Sequence, residues 1–377
     1  MEFSVDQRMI QKVAREFAIK ELLPSVMERD KDARYPKDEI RKMQEAGFMG
    51  MTVDPEYGGG GMDTLSYVIA MEEISKVDPS CSVAMSVNNS LVCWGLEKYG
   101  SDLQKDQFLR PLASGQKLGA FCLSEPEAGS DASHQRTTAL EQDDHYLLNG
   151  TKNWITNGKY ADIYLIMAQS DPEKKSRGIN AFIVPANTEG LTTGAKEVKM
   201  GIRSSDTCSV MLHNVKVTKE YRIGEEGFGF RFAMESLESG RIGIAAQALG
   251  IAAGAYERAL QYAKEREAFG VPLWKHQSVA FKLADMATLL EASRLLVYQA
   301  ARDKDAGRPY SVSGSMAKLF AAEAAMKITT EAVQIHGGYG YVREYHVERM
   351  MRDAKVTQIY EGTSEIQKII ISRSILK

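Results

Sequence analysis

The chain has 377 residues, 44% of them hydrophobic and 26% charged, a size at which one core stops growing and a composition far from disordered or fibrous chains, so two or three packed subdomains are expected. A formal net charge of -3 provides no chain-wide basic field, which argues against nucleic acid as a partner. Cys81, Cys93, Cys122 and Cys208 lack any C-x-x-C spacing and the histidines lack paired ligand spacing, so neither disulfides nor a metal centre is expected.

The opening stretch MEFSVDQRMIQKVAREFAIKELLP mixes charges with apolar residues and has no secretory core, and the most apolar later stretch, 242–256, is too short to span a bilayer. A soluble, cytoplasmic protein without membrane insertion is the expectation, with a processed mitochondrial-matrix form as the alternative. Ile10, Val13 and Phe17 recur at spacings of three and four and predict an amphipathic helix; 64–76 and 102–113 read as further helices, with the glycine run 58–61 as a loop between elements. Residues 1–117 are thus expected as an all-helical domain.

After Gly119 the pattern changes. Asn149-Gly150 predicts a tight hairpin turn between 146–148 and 151–156, and strand-like runs follow at 163–169, 179–184 and 208–217. Residues 118–224 are expected as a compact antiparallel β-barrel or sandwich domain. From Phe228 helical periodicity returns: Leu283, Met286, Leu290 and Val297 share one face, and Ala317, Phe320, Ala324, Ile328, Ala332 and Ile335 form another. Residues 225–377 are expected as a helical bundle of four-helix type, which makes the whole an α+β fold by segregation, with no βαβ alternation.

No G-x-G-x-x-G and no phosphate-loop motif occurs, so any dinucleotide is held in another way. The loop 124–131 (SEPEAGSD) offers amides and hydroxyls; 334–340 (QIHGGYG) ends a helix in glycines; 360–367 (YEGTSEIQ) puts Glu361 in a turn that Thr363 or Ser364 caps. Taken singly these read more readily as a turn, a helix cap and a solvated glutamate than as a site.

Taken together, 121–131 (FCLSEPEAGSD), 149–158 (NGTKNWITNG), 266–270 (REAFG), 334–340 (QIHGGYG) and 352–367 (RDAKVTQIYEGTSEIQ) resemble the acyl-CoA dehydrogenase family, and the likeness covers almost the whole chain. It implies an FAD enzyme in which Phe121, Cys122, Leu123, Ser124, Gly129 and Ser130 line the flavin with Trp154, Ile155 and Thr156. Arg266, Phe269 and Gln277, with Gln334, Ile335, His336, Gly337 and Gly338, would hold the adenosine and pyrophosphate across a subunit boundary of a homotetramer. Thr363 and Glu365 are carried over as further cofactor positions. Ser130, Glu238 and Arg241 match contacts to CoA, where a guanidinium suits phosphate. Tyr360 and Gly362, carried over as substrate contacts, flank Glu361, which matches the catalytic base.

The implied chemistry is loss of the α-proton to Glu361 and of a β-hydride to the flavin, the thioester carbonyl being polarised by the Glu361 amide and a ribityl hydroxyl. Electron-transfer flavoprotein would be the acceptor. Some relatives carry the base where this chain has Gly240, which cannot serve. Glu127 departs from the small residue usual in its loop, and is expected to point away from it.

Stretches 85–91 (MSVNNSL) and 241–250 (RIGIAAQALG), with Thr357, are similar to short-chain, butyryl-type members. Gln247 and Thr357 are expected to close the acyl slot by filling volume and by presenting polar groups that a longer chain would bury unpaired. The alternatives are a medium-chain or branched-chain dehydrogenase and an oxidase or monooxygenase on the same scaffold. A silent flavin-fold protein that binds nucleic acid is opposed by Glu361 and Arg241.

Overall fold

Helix formation begins at a reciprocal cap, the Ser4 hydroxyl accepting the Gln7 amide while the Gln7 side chain accepts the Ser4 amide, each at 3.1 Å. The structure is a computed structural model and describes residues 2–376. Eight helices come first: α1 (Val5–Phe17), α2 (Val26–Asp32), α3 (Lys37–Glu45), α4 (Thr64–Ser75), α5 (Pro79–Ser86), α6 (Trp94–Tyr99), α7 (Asp102–Gln104) and α8 (Arg110–Ala113). Wide π-helical turns join several of them, at Ala18–Leu22, Val87–Cys93 and Lys105–Leu109. Ile10 and Phe17 of α1 pack on the core as expected, but Val13 is 49% exposed and the fully buried residue is Ala14. The inward face is rotated by one residue, because α4 lies closely against α1 and a small side chain fits there.

Eight strands follow: β1 (Gly119–Cys122), β2 (Thr138–Glu141), β3 (His145–Thr156), β4 (Ile163–Gln169), β5 (Ile179–Pro185), β6 (Leu191–Thr193), β7 (Thr207–Thr218) and β8 (Arg222–Ile223). They form one sheet in the order β6-β7-β3-β2-β4-β5-β8, with β1 beside β4. Most pairings are antiparallel, but β1 with β4 and β2 with β4 run parallel.

The hairpin turn expected at Asn149-Gly150 is not there. β3 runs straight through it, and the register against β7 shifts between Leu148 and Gly150 as a bulge. Asn149 bonds across to Asn214, accepting its amide at 2.8 Å, and Gly150 (φ 148°) lies against the Thr137 backbone where a Cβ has no room. The true hairpin joins β2 to β3 around Asp143, closed by the Gln142 amide on the His145 carbonyl at 2.8 Å.

The last segment consists of α9 (Gly229–Glu265), a small hairpin of β9 (Glu267–Ala268) and β10 (Val271–Pro272), α10 (Gln277–Asp305), α11 (Ser311–His336), α12 (His346–Lys355) and α13 (Ser364–Ile375). Helix α9 is buried along its middle because Gly250 and Gly254 let its backbone meet the Glu72 and Lys76 carbonyls at the end of α4. One core therefore joins α1 and α4 to α9, α10 and α11, including the predicted residues Leu283, Met286, Leu290, Val297, Ala317, Ala324 and Ile328. A second core seats one sheet face on the start of α9 through Phe121, Leu165, Ile183 and Phe232. The four cysteines are buried and free, and among the described residues no helix is long and apolar enough to cross a membrane.

Candidate active site

After α12 and one tight turn at Val356–Gln358, the chain reverses through Glu361 (φ 51°) and Gly362 (φ 91°), and the Thr363 hydroxyl then caps α13 by accepting the Ile366 amide at 3.3 Å. A glutamate in the left-handed region is strained by about 1–3 kcal/mol and persists only where its surroundings fix it. Three bonds do so here. Lys318 of α11 donates to the Gly362 carbonyl at 2.7 Å, Gln367 donates to the same carbonyl at 2.8 Å, and Ser364 donates to Glu323 at 2.7 Å. The turn points the Glu361 carboxylate at Gly240 of α9, where an added Cβ would collide with it. Gly240 thus makes the space that Glu361 occupies. The Glu361 Oε2 atom is buried without a hydrogen-bond partner. Burial raises the Glu361 pKa to about 7, against the opposing pull of Lys318 and Arg241.

Arg241 is buried, and its Nε also lacks a partner; burial lowers its pKa against the attraction of Glu238 and Glu361. Glu238 accepts the Ser311 hydroxyl at 2.7 Å. Gln247, two turns beyond Gly240, donates to the Pro79 carbonyl at 2.9 Å and to the Ser82 hydroxyl at 3.0 Å, and accepts the Tyr360 hydroxyl. Thr357 is buried and donates to the Ala354 carbonyl at 2.7 Å. The expectation that these two side chains present unpaired polar groups therefore fails. Both have partners within the fold, so any limit they set on an acyl chain works through volume.

On the sheet side, alternation along β1 sends Phe121 and Leu123 toward α9, with Phe121 stacked 6.4 Å from Phe232, while Cys122 points into the interior of the sheet with Ile155. Cys122 and Ile155 can therefore offer a ligand only their backbone. Leu91, from the same cluster as Phe121, reaches Gly240 and so links this wall to the Glu361 turn. A bulge between Lys152 and Ile155 puts Trp154 at φ 61° and leaves it 60% exposed, the indole presented to solvent beside Thr156. Ser124 accepts the Asn153 amide through its carbonyl at 2.8 Å, fastening the loop to β3. Gly129 and Ser130 are exposed, and a Cβ at 129 would meet nothing within 4 Å. Glu127 points outward, 4.0 Å from Arg136.

The sequence reading missed what holds this loop. Glu125 is buried and accepts Lys152 Nζ at 2.7 Å, the Arg136 amide at 2.5 Å and the Thr137 amide at 3.0 Å; Lys152 also donates to the Leu123 carbonyl and to Gln135. Lys318 was missed as well. Its one signal was a lysine within an alanine-rich helical stripe.

Arg266, Ile335, His336, Gly337 and Gly338 share a cleft of about 760 Å³ with Tyr262 and Tyr345. His336 is held by the Ala332 carbonyl at 2.8 Å and stacks 4.2 Å from Tyr262; burial lowers its pKa, which favours the neutral ring. Gln334 and Gln277 are exposed, and Phe269 stands 97% exposed at the tip of the β9–β10 hairpin, projecting from the molecule. Glu365 is exposed in the first turn of α13. Open space at Gly129, Gly337 and Gly338, an indole presented to solvent and an aromatic cleft that carries Arg266 fit a long, partly aromatic, phosphate-bearing cofactor.

Comparison with known proteins matches three family models along the chain: acyl-CoA dehydrogenase N-terminal domain at 4–116, middle domain at 120–215 and C-terminal domain at 227–376. The chain is 48% identical over 379 residues to the short-chain specific acyl-CoA dehydrogenase of Clostridium acetobutylicum, covering 100% of both. The structure of butyryl-CoA dehydrogenase from Megasphaera elsdenii superposes with a TM-score of 0.99 at 48% identity, over 100% of both chains. A chain in the structure of the electron transferring flavoprotein of Acidaminococcus fermentans also gives 0.99, at 49% identity, over 100% of this chain and 99% of that one.

Proposed function

We propose that this chain, which belongs to the acyl-CoA dehydrogenase family, is an FAD-dependent enzyme that oxidises a short-chain, butyryl-like acyl-CoA to the trans-2-enoyl-CoA and passes the electrons to electron-transfer flavoprotein. The observation that carries the reading is the Glu361 carboxylate: half-buried, with its Oε2 atom enclosed and unpartnered, and with a pKa brought to about 7, where a base both is ionised and accepts a proton readily. FAD, when bound, supplies the hydride acceptor.

In this reading Glu361 Oε2 takes the α-proton. The Glu361 amide, held at the turn by Lys318 and Gln367, donates to the thioester carbonyl and raises the acidity of the α-carbon. Arg241 and Ser130 serve the CoA moiety. Phe121, Leu123, Trp154 and Thr156, with the backbone at 122, 124, 129 and 155, receive the ring system, and Arg266 with 335–338 receives the pyrophosphate end. The exposed hairpin carrying Phe269, followed by Gln277, reaches a neighbouring subunit's cofactor in a homotetramer.

The test is anaerobic bleaching of the bound flavin by straight-chain acyl-CoA thioesters from four to twelve carbons. Maximal kcat/KM at four carbons is expected. An optimum at eight or beyond would reject the short-chain assignment, and no bleaching by any thioester would reject the reaction. Rapid reoxidation in air with peroxide release would assign an oxidase instead.

A further inference from the structure

In the mechanism above Lys318 only braces the turn, yet it is also one of two buried cations that face the base. It is fully buried on α11 among Ala317, Ala321 and Ala322, and its ammonium donates to the Gly362 carbonyl at 2.7 Å. Burying a lysine is unfavourable unless the charge is used. A neutral donor would satisfy the carbonyl equally well, so the hydrogen bond by itself does not account for a cation. Resting on the assignment of Glu361 as base, we propose that Lys318 is a positioning residue: it fixes the strained Glu361-Gly362 turn and, at neutral pH, holds a positive charge facing the carboxylate that takes the α-proton.

The groups that face Glu361 are few. Lys318 comes from α11, Arg241 from α9 and Tyr67 from α4, with Tyr360 adjacent in the chain. Lys318 in turn faces Glu361, Arg241, Glu323 and Glu365, of which Glu323 is engaged by Ser364. Burial drives the Glu361 pKa up to about 7, and Lys318 and Arg241 are the two charges that oppose it. Burial likewise lowers Lys318, to about 8, so at neutral pH the ammonium is still present. Removing it leaves Arg241 alone against burial, and Glu361 then ionises only at higher pH.

The experiment compares flavin-loaded wild type with Lys318→Gln, which keeps a donor for Gly362 without the charge, Lys318→Met, which removes both, and Lys318→Arg, which keeps the charge. Melting temperature and flavin content are recorded for each. The acid limb of kcat/KM against pH should move up by about one unit in the Gln and Met variants, return toward wild type in the Arg variant, and leave KM for the thioester little changed at high pH. A second readout needs no turnover. Infrared titration of 13C-labelled glutamate carboxyls, with the Glu361→Gln spectrum subtracted, should show the same upward displacement in Lys318→Gln. Because coupling is reciprocal, 13C NMR of the lysine ε-carbons should show Lys318 titrating lower in Glu361→Gln than in wild type, which requires no Lys318 variant to fold. If wild type oxidises no acyl-CoA, the dehydrogenase reading falls and the two titrations still judge Lys318. An unmoved Glu361 carboxyl in folded Lys318→Gln, or a Lys318 indifferent to Glu361→Gln, would overturn the proposal.

Discussion

Two glutamates, Glu125 in the loop after β1 and Glu361 in the turn before α13, begin from the same side chain and are both withdrawn from water, yet end in opposite states. Burial pushes both upward. At Glu125 the Lys152 ammonium and two backbone amides outweigh it and hold the carboxyl below its usual range. At Glu361 two more distant cations do not, and the carboxyl rises to about 7 with one oxygen unpartnered. Glu125 has donors on both carboxylate oxygens and serves the architecture of its loop, whereas the Glu361 side chain has none among the described residues and is left able to accept a proton. The difference lies in the number of donors within reach, which neither local motif encodes.

The comparison breaks most visibly in activity. Glu361→Gln should slow flavin reduction by about 10³- to 10⁴-fold with thioester binding retained, measured by stopped-flow bleaching. Glu125→Gln should leave the chemical step nearly intact once flavin is bound, and near-normal bleaching in Glu361→Gln would move the base elsewhere. Stability should show the reverse. Glu125→Gln strands Lys152 in the loop core and should cost about 3–5 kcal/mol in denaturant unfolding, accompanied by loss of flavin.

The pH dependence sharpens the contrast because its sign differs. The folded pKa of Glu125 is depressed, so its contribution is present above the unfolded value of 4.5 and disappears as pH falls through the folded value. Melting curves of Glu125→Gln should therefore lose part of the acid sensitivity of wild type. Glu361 is raised, so the native state loses stability as pH climbs from 4.5 through about 7. Glu361→Gln should accordingly be more stable than wild type at pH 8, by no more than about 3 kcal/mol.

Gln247→Ala lies on the Glu361 side and opens the volume below Tyr360. It should lower kcat/KM for a four-carbon thioester about tenfold, the scale set by leaving the Tyr360 hydroxyl unpaired, and move the chain-length optimum upward. The smallest effect belongs to a region outside both turns. Arg266→Ala should weaken flavin retention several-fold and loosen subunit association, read by flavin content and sedimentation. Unchanged flavin content and association would remove Arg266 from the cofactor site.

Periodicity along the chain was enough to lay out helices, then strands, then helices, because the 3.6- and 2-residue repeats are local properties. β4 carries the span predicted for it, and the stripes of α10 and α11 face the core as expected. Likeness of motif, in turn, marked Glu361 as the candidate base. What the tertiary structure alone decided are the partners. Gly150 forms a bulge where its local sequence asks for a turn, because Asn214 and the Thr137 backbone wait alongside it. Gln247 is satisfied by Ser82, 165 residues away in sequence, and Lys318 reaches Gly362 across 44. Glu361 finds its space at Gly240, on a different helix, and lacks a donor that Glu125 has. Local sequence sets which backbone states are accessible. Only the packed fold sets which polar atoms meet, and the pKa of a buried carboxylate depends on that meeting.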